Sequence, residues 1–372
     1  MTEMIAAEPA LTGRLLSRLA DPRSEAADLA AGLATVALRG GPVRLVGCGT
    51  SEHAAMGAAH ILADALGAAT LPPVDVASQE AFEASLTPPG LLRRGLTLAI
   101  SHEGGTWATN EALAAARAAG GRTALITAAR EGPGASLADL LVATGELDQS
   151  WCHTVGYLSP LLVALAVATH LAGTAWPTDG ARRLVTAAAG LGDRAALMAT
   201  ALAGLDRLLI VGSGADRPAA RELALKIEEG AHLPATARDL ETLLHGHLAA
   251  ANATAGLVLI LADRAGRARR SARARQVLAV AQAIGLPAAA IVAADADLEL
   301  PAGLTPAGRL VIPEGPDLPP AAAALLATAP ALQLLAERLA RARGADPDTL
   351  RRGEAVYREA AARGRGNEPP AG

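Results

Sequence analysis

The composition excludes several classes of protein before any motif is considered. The chain has 372 residues, of which 51% are hydrophobic and only 2% aromatic, and its formal net charge is −4. This is enough apolar material for about two domains, with cores built from Ala, Leu and Val. The mild negative charge, without a basic face interleaved with aromatic residues, argues against a nucleic-acid partner.

The chain also lacks the sequence signals of a membrane or secreted protein. No apolar run is long and unbroken enough to predict a membrane span. The richest run, residues 158–175, is interrupted by Ser159, Pro160 and Gly173 and is typical of a buried core helix. The N-terminus lacks the basic-then-apolar order of a secretory signal, and two cysteines provide neither a disulfide framework nor a zinc site. We therefore expect a cytoplasmic protein with no membrane partner and no metal.

An internal repeat predicts the fold. After a helical segment at residues 1–27, an apolar run ends in Gly47-Cys48-Gly49, and a second such run ends in Gly212-Ser213-Gly214. Each reads as a buried strand, a tight turn and a helix. Further strands are predicted at residues 96–100, 122–126, 140–143, 256–261, 288–292 and 309–312. The alternation with Ala-rich helices predicts an α/β fold, with two doubly wound three-layer α/β/α domains and parallel sheets. We place the domains at residues 28–190 and 191–345, followed by a tail at 346–372.

Two loops after strands in the first half carry hydroxyl groups and glycine amides. The first loop contains Gly49, Thr50 and Ser51, and the second loop runs from Ser101 to Thr106. Ligands of doubly wound sheets lie beyond the carboxyl ends of the strands, where these loops fall. Helix capping alone would explain one such loop, whereas two make a binding site an equally good explanation. Neither Gly-x-Gly turn completes a dinucleotide fingerprint, so no nucleotide cofactor is expected.

A single lysine stands among 33 basic residues, the others being arginine. On a helix, Glu222, Lys226 and Glu229 share one face, because they are spaced at i, i+4 and i+7. Two carboxylates and an amine on one stripe are suited to acid–base chemistry. They are also typical of a solvated ion-pair stripe, and the helix pattern alone favours the ion-pair explanation over acid–base chemistry.

Taken together, these segments resemble the tandem sugar isomerase (SIS) family, in particular the isomerase half of glucosamine-6-phosphate synthase and related sugar-amine deglycases. Residues 47–54 resemble that family's first sugar-phosphate loop, and residues 101–106 its second. Residues 222–229, followed by His245-Gly246, resemble its catalytic stretch. Residues 331–335 and 344–348 resemble the end of its second domain. The likeness covers nearly all of the chain after about residue 28.

The resemblance implies roles for individual residues. Glu229 falls on the general base that moves a proton between C1 and C2 of the open sugar. His245 falls on a histidine that assists ring opening, often from a second subunit, and Lys226 on a lysine of the same site. A homodimer without a cofactor is implied. The residues expected to contact the sugar are Gly49, Thr50, Ser51, Ser101, His102, Glu103, Thr106, His153, Glu222 and Arg351.

The chain also departs from the family pattern. Glu103 stands where the family has a phosphate-binding serine, and a carboxylate there would repel a phosphate. His102 replaces a glutamine and would compensate only if it were protonated. Gly105 replaces a glutamate, and Arg351 lies in the tail where the family has a catalytic lysine. We expect no glutaminase domain and hence no glutamine-dependent amination by this polypeptide.

The sequence thus predicts an enzyme, either an aldose–ketose isomerase or a deglycase. Its substrate would be a sugar, an amino sugar or a sugar-amine adduct, with or without a phosphate. The alternatives are a non-catalytic protein that senses sugars or sugar phosphates and an isomerase of an unphosphorylated sugar.

Overall fold

Two parallel sheets of five strands each form the framework of the protein. The computed structural model describes residues 1–365. The strands are β1 (Val43–Gly47), β2 (Val76–Glu80), β3 (Leu96–Ile100), β4 (Arg122–Thr127), β5 (Leu140–Ala143), β6 (Arg207–Val211), β7 (Ala235–Arg238), β8 (Ala255–Leu261), β9 (Ala288–Ala293) and β10 (Arg309–Ile312).

The two sheets have the same topology. Their strand orders are β2-β1-β3-β4-β5 and β7-β6-β8-β9-β10, with every pair parallel. The third strand of each sheet, β3 and β8, is buried along its whole length, because helices cover both faces of a parallel sheet. The predicted repeat and the predicted pair of doubly wound α/β domains are confirmed.

Sequence patterns missed two strands, β2 and β7. Both lie at the edge of a sheet. β2 reads Val-Ala-Ser-Gln-Glu and is half-buried throughout, and β7 reads Ala-Thr-Ala-Arg. An edge strand has a neighbour on one side only and needs no continuous apolar run, so neither segment carried the pattern used to find the other eight.

Sixteen α-helices lie within the described residues. They are α1 (Thr2–Leu19), α2 (Glu25–Leu38), α3 (Thr50–Ala68), α4 (Ala81–Ser85), α5 (Pro89–Leu92), α6 (Trp107–Ala118), α7 (Pro133–Leu137), α8 (Val155–Ala172), α9 (Thr178–Ala189), α10 (Gly192–Leu202), α11 (Asp216–Lys226), α12 (Leu240–Leu244), α13 (Arg267–Ala283), α14 (Ala294–Glu299), α15 (Pro320–Ala342) and α16 (Ala355–Arg365).

Helices α3, α8, α11 and α15 meet between the two sheets and bring the two halves of the chain together. Helix α3 packs against α8 and α11, and α15 packs against α8, α10 and α11. By length and composition α8 and α15 could each cross a membrane, but 83% and 94% of their apolar windows are buried inside the protein. Such burial is typical of core helices, as the sequence predicted for α8.

The segment that holds Lys226 and Glu229 is not one regular helix. α11 ends at Lys226, and a π-helical turn follows at Ile227–Ala231. The predicted shared face of Glu222, Lys226 and Glu229 is present, since Lys226 contacts both carboxylates, but the last turn is π-helical rather than α-helical. Turns of this kind are rare and occur frequently at functional sites.

The predicted domain limits remain predictions. The strands of the first sheet lie within residues 28–190 and those of the second within 191–345, but α2 (Glu25–Leu38) runs across the limit at residue 28. Of the predicted tail at 346–372, the last seven residues, 366–372, lie outside the described part of the chain.

Candidate active site

The first loop joins β1 to α3 by a close approach of two backbone segments. A Cβ atom at Gly47 would lie 2.5 Å from the carbonyl carbon of Ser51, so only glycine fits there. Gly49 has a φ of 56°, in the left-handed region, and α3 begins at Thr50. The loop therefore places Thr50 at the carboxyl edge of the first sheet, facing the second domain.

Lys226 contacts side chains of both domains. Its Nζ lies 2.7 Å from Glu229 Oε2, 2.9 Å from Thr50 Oγ1 and 3.3 Å from Glu222 Oε1. Lys226 and Glu222 are completely buried, whereas the Glu229 side chain is 25% exposed. A solvated ion-pair stripe is thereby excluded for Lys226, since its ammonium has no exposure to water.

The charged groups in this cluster stabilise one another in their ionised forms. Burial by itself lowers the pKa of Lys226, but the carboxylates of Glu222 and Glu229 outweigh it and raise that pKa above its ordinary value. Burial likewise favours the neutral form of Glu222, yet Lys226 and the hydrogen bond with His53 hold the pKa of Glu222 below its usual range. Glu222 is thus a fixed carboxylate, and Glu229 is the carboxylate of this cluster that a ligand can reach.

The second loop presents hydroxyl groups and one carboxylate. Ser101 is buried at the end of β3, and its Oγ lies 3.5 Å from Thr106 Oγ1. Gly104 has a φ of 72° and turns the chain back toward α6. The side chain of Glu103 is exposed. The loop thus offers donors for a polyol and a negative charge that disfavours an anion.

The imidazole of His102, in the second loop, packs against that of His153 with the two ring planes tilted by 52°. Their ring centroids are 4.9 Å apart. His102 Nε2 accepts a hydrogen bond from the backbone N–H of Asp148 at 2.9 Å, which requires that nitrogen to carry no proton. Burial lowers the pKa of His102, and burial together with His102 lowers that of His153. A protonated His102 that compensates for Glu103 is therefore disfavoured.

Two predicted site residues lie apart from the Lys226 cluster. The His245 side chain is 72% exposed, and its Nε2 lies 2.7 Å from Glu241 Oε1. Arg351 makes an ion pair with Glu354 at 2.7 Å and stacks on the ring of Tyr357. Neither side chain forms a hydrogen bond or an ion pair with Lys226, Glu229 or the second loop among residues 1–365. Their predicted roles remain predictions.

Two residues near the site are not among the predicted site residues. His53 Nδ1 lies 2.8 Å from Glu222 Oε2, and Cys152 Sγ lies 4.0 Å from the carbonyl oxygen of Lys226. The position of His53, three residues after Thr50 on the same helix, was a usable signal. Burial raises the pKa of Cys152 to about 12, so it is a thiol rather than a nucleophile.

The equivalent turn in the second domain is filled by the protein itself. A Cβ atom at Gly214 would collide with the guanidinium of Arg270, which forms an ion pair with Asp263. Both oxygens of the buried Asp216 accept hydrogen bonds from the backbone N–H groups of Ala262 and Asp263. The repeat therefore provides one open turn, the first loop, and one occupied by an arginine.

Comparisons with known proteins agree with this architecture. No protein-family model matches the chain. The chain is 31% identical over 220 residues to the isomerizing glutamine–fructose-6-phosphate aminotransferase of Zymomonas mobilis, a match that covers 56% of this chain and 35% of that protein. The chain spans about a third of the length of the curated relatives it matches.

Solved structures extend the likeness to nearly the whole chain. The C-terminal domain of glucosamine-fructose-6-phosphate aminotransferase from Francisella tularensis superposes with a TM-score of 0.78 at 19% identity, covering 92% of this chain and 96% of that one. Tagatose-6-phosphate ketose/aldose isomerase from Escherichia coli gives 0.70 at 18% identity, with 94% of each chain covered. The fold is that of the tandem sugar isomerase domain proteins, and the predicted resemblance is confirmed. Among these structures, the chain matches the C-terminal domain of the Francisella tularensis aminotransferase over nearly its whole length.

Proposed function

We propose that this protein catalyses proton transfer between C1 and C2 of an open-chain sugar, as an aldose–ketose isomerase or a deglycase. The observation that carries the proposal is the contact of Lys226 with Glu229, in which a buried ammonium lies 2.7 Å from a carboxylate that a ligand can reach. Proton abstraction beside a carbonyl needs a positioned base and a nearby positive charge for the enediolate. Glu229 would supply the base and Lys226 the charge.

Each step can be assigned to a residue of this chain. Glu229 removes the proton from C2 of an aldose, and the electron pair moves toward the C1 carbonyl to give an enediolate. Return of the proton to C1, with transfer of the hydroxyl proton from O2 to O1, yields the ketose. In a deglycase, Glu229 would move a proton from C1 to C2 of a ketosamine, and water would then add to the resulting C1=N bond, so that the C1–N bond breaks, the amine leaves and an aldose remains. Neither route uses a cofactor or a metal.

The same proposal includes a homodimer in the cytoplasm. His245 would open the sugar ring in the site of a partner subunit, and its position supports this. It lies on an exposed segment after α12, and among residues 1–365 its one ion-pair partner is the exposed Glu241. An exposed imidazole with no partner in its own candidate site is suited to a role in trans.

The substrate class is a sugar or sugar phosphate. The relatives named above act on fructose 6-phosphate or tagatose 6-phosphate, which supports a phosphate. Glu103 and the unprotonated His102 favour a neutral polyol or an amine in the second loop. Hydroxyls of Ser101 and Thr106 suit either ligand.

Exchange of a carbon-bound deuteron of the sugar for a solvent proton distinguishes an enzyme from a protein that only senses the sugar. Hexoses and hexosamines deuterated at C2, and ketoses deuterated at C1, would be incubated with the protein in ordinary water, each with and without a 6-phosphate. Mass spectrometry should show loss of label from the substrate class. A protein that binds one of these sugars saturably and leaves every label in place would be a sensor.

A further inference from the structure

A cavity lies beside the candidate active site, on the surface of α11. Its volume is about 570 Å³, within the range of about 300–1,000 Å³ that is typical of small-molecule sites. Helix α11, strand β7 and helix α12 form its walls. The residues of α11 that line it do not include Glu222 or Lys226, so the cavity is distinct from the cluster around Lys226.

Positively charged and titratable side chains line this cavity. Three guanidinium groups, from Arg217, Arg221 and Arg238, face it together with the imidazoles of His53 and His247. The acidic side chains in the lining are Glu228 and Asp239. With neutral histidines the charged groups of the lining sum to +1, from three guanidinium groups and two carboxylates, and Glu52, which pairs with Arg221 from outside the lining, brings the sum to zero.

Two of the three guanidinium groups retain donors for a ligand. Arg221 is neutralised by Glu52 at 2.9 Å. Arg217 lies 3.7 Å from Asp239, which is too long for a hydrogen bond. Arg238 donates to His247 Nδ1 at 3.3 Å and to the carbonyl of Ala237 at 2.8 Å, and both of these acceptors are uncharged groups.

Within residues 1–365, neither carboxylate of the lining accepts a hydrogen bond from Arg217 or Arg238. Glu228 accepts the backbone N–H of Ala235 at 3.2 Å, which occupies one of its oxygens. Asp239 forms an ion pair with Arg217 at 3.7 Å, whereas Arg238 forms no ion pair with a carboxylate in the described part of the chain. Guanidinium groups bind tetrahedral oxyanions through paired N–H donors, and the cavity has such groups on two of its walls, Arg217 on α11 and Arg238 on β7.

We infer that this cavity binds a small phosphate-type dianion, either free phosphate or the phosphate group of a monoester. The inference does not depend on the proposed function. The site has one residue in common with the candidate active site: His53 lines the cavity, and its Nδ1 hydrogen-bonds Glu222. A ligand bound in the cavity therefore touches a side chain in direct contact with the buried charge cluster.

Binding of inorganic phosphate and pyrophosphate, measured by titration calorimetry at fixed ionic strength, tests the inference. The double variant Arg217→Gln/Arg238→Gln should bind at least about tenfold more weakly than the wild type, which corresponds to about 1.4 kcal/mol. The matched control is Arg194→Gln/Arg269→Gln, which removes two exposed arginines outside the cavity and should bind like the wild type. Circular dichroism checks that each variant is folded.

A further variant separates this cavity from the second loop. Ser101→Ala/Thr106→Ala should leave binding at the cavity intact. Three results would overturn the inference: no binding to the wild type, equal affinity in Arg217→Gln/Arg238→Gln, or an affinity lost only in Ser101→Ala/Thr106→Ala. The last result would place the anion in the second loop instead.

Discussion

Lys226 donates a hydrogen bond to Thr50 at 2.9 Å across 176 residues of sequence. Lys226 ends helix α11 in the second half of the chain, and Thr50 begins helix α3 in the first. The buried ammonium is therefore satisfied only when the two halves are packed together. The predictions below start from this contact and from the side chains around it.

Two replacements of Lys226 test whether the site requires only a positive charge at this position or also the shape of a lysine side chain. Lys226→Met leaves Glu222 buried without its cation, which should lower the free energy of unfolding by about 3–5 kcal/mol. Lys226→Arg keeps the charge, but the larger planar group does not fit a site with no exposure to water. Urea unfolding and deuterium exchange should show a stability loss in the first variant and lost exchange in the second. Normal exchange in Lys226→Arg would mean that any cation suffices.

Replacing Glu229 by glutamine should abolish proton transfer and spare binding. The amide cannot accept the proton, so the exchange rate should fall by about 10²–10⁴-fold, the usual contribution of a general base. Ligand affinity should change little, because the shape of the side chain is retained. Glu111→Gln, an exposed glutamate on α6, is the control. A Glu229→Gln variant that exchanges label at the normal rate would remove Glu229 from the mechanism.

Mixing two inactive variants tests whether His245 acts in a partner subunit. A heterodimer of Glu229→Gln and His245→Ala has one site with both residues intact if the histidine comes from the other chain. Refolding the two variants together in equal amounts should then restore about a quarter of wild-type activity, given random pairing in a two-fold dimer. If His245 acts within its own chain, the mixture stays as inactive as its components.

Replacing Glu103 by serine should change the preference for phosphate. Removing the exposed carboxylate from the second loop should lower KM for a phosphorylated sugar relative to its unphosphorylated counterpart, because like charges no longer repel. Glu131→Ser removes an exposed carboxylate outside the second loop and serves as the control for net charge. An unchanged ratio of the two KM values would show that no phosphate approaches Glu103.

Asp216 should make stability depend on pH near neutrality. Burial and the neighbouring Asp263 raise its pKa from 3.8 to about 7. The folded state therefore binds this proton more tightly than the unfolded state, so the free energy of unfolding falls as pH rises between these two values. Asp216→Asn mimics the protonated form, and its stability relative to the wild type should increase over the same interval. Asp193→Asn, at an exposed site, should show no such trend. An Asp216→Asn difference that is constant with pH would contradict the assignment.

The sequence predicted the parallel core of each sheet because central strands must be continuously apolar. The runs at β3 and β8 carry that pattern directly. Edge strands β2 and β7 need no continuous apolar run, and because they contain polar residues the apolar pattern did not predict them. The π-helical turn after Lys226 was equally hidden, since helical periodicity assumes a constant angle per residue and reveals no local widening.

For the candidate site, the sequence predicted which residues lie together, but it did not predict their protonation states. The grouping of Thr50, Glu222, Lys226 and Glu229 is present in the structure. The protonation state of His102 depends on burial and on the backbone N–H of Asp148, which lies 46 residues away in sequence. No local sequence pattern carries that information.

The contact between Lys226 and Thr50 also determines when the chemistry can first arise. During synthesis the ribosome delivers the first sheet and Thr50 long before Lys226 emerges. A chain halted after residue 190 would contain the first and second loops but neither Glu222 nor Glu229. The proposed acid–base chemistry would thus become available only to a molecule whose second half has been made and docked, and half-made or proteolysed chains would carry the two loops without the proposed base.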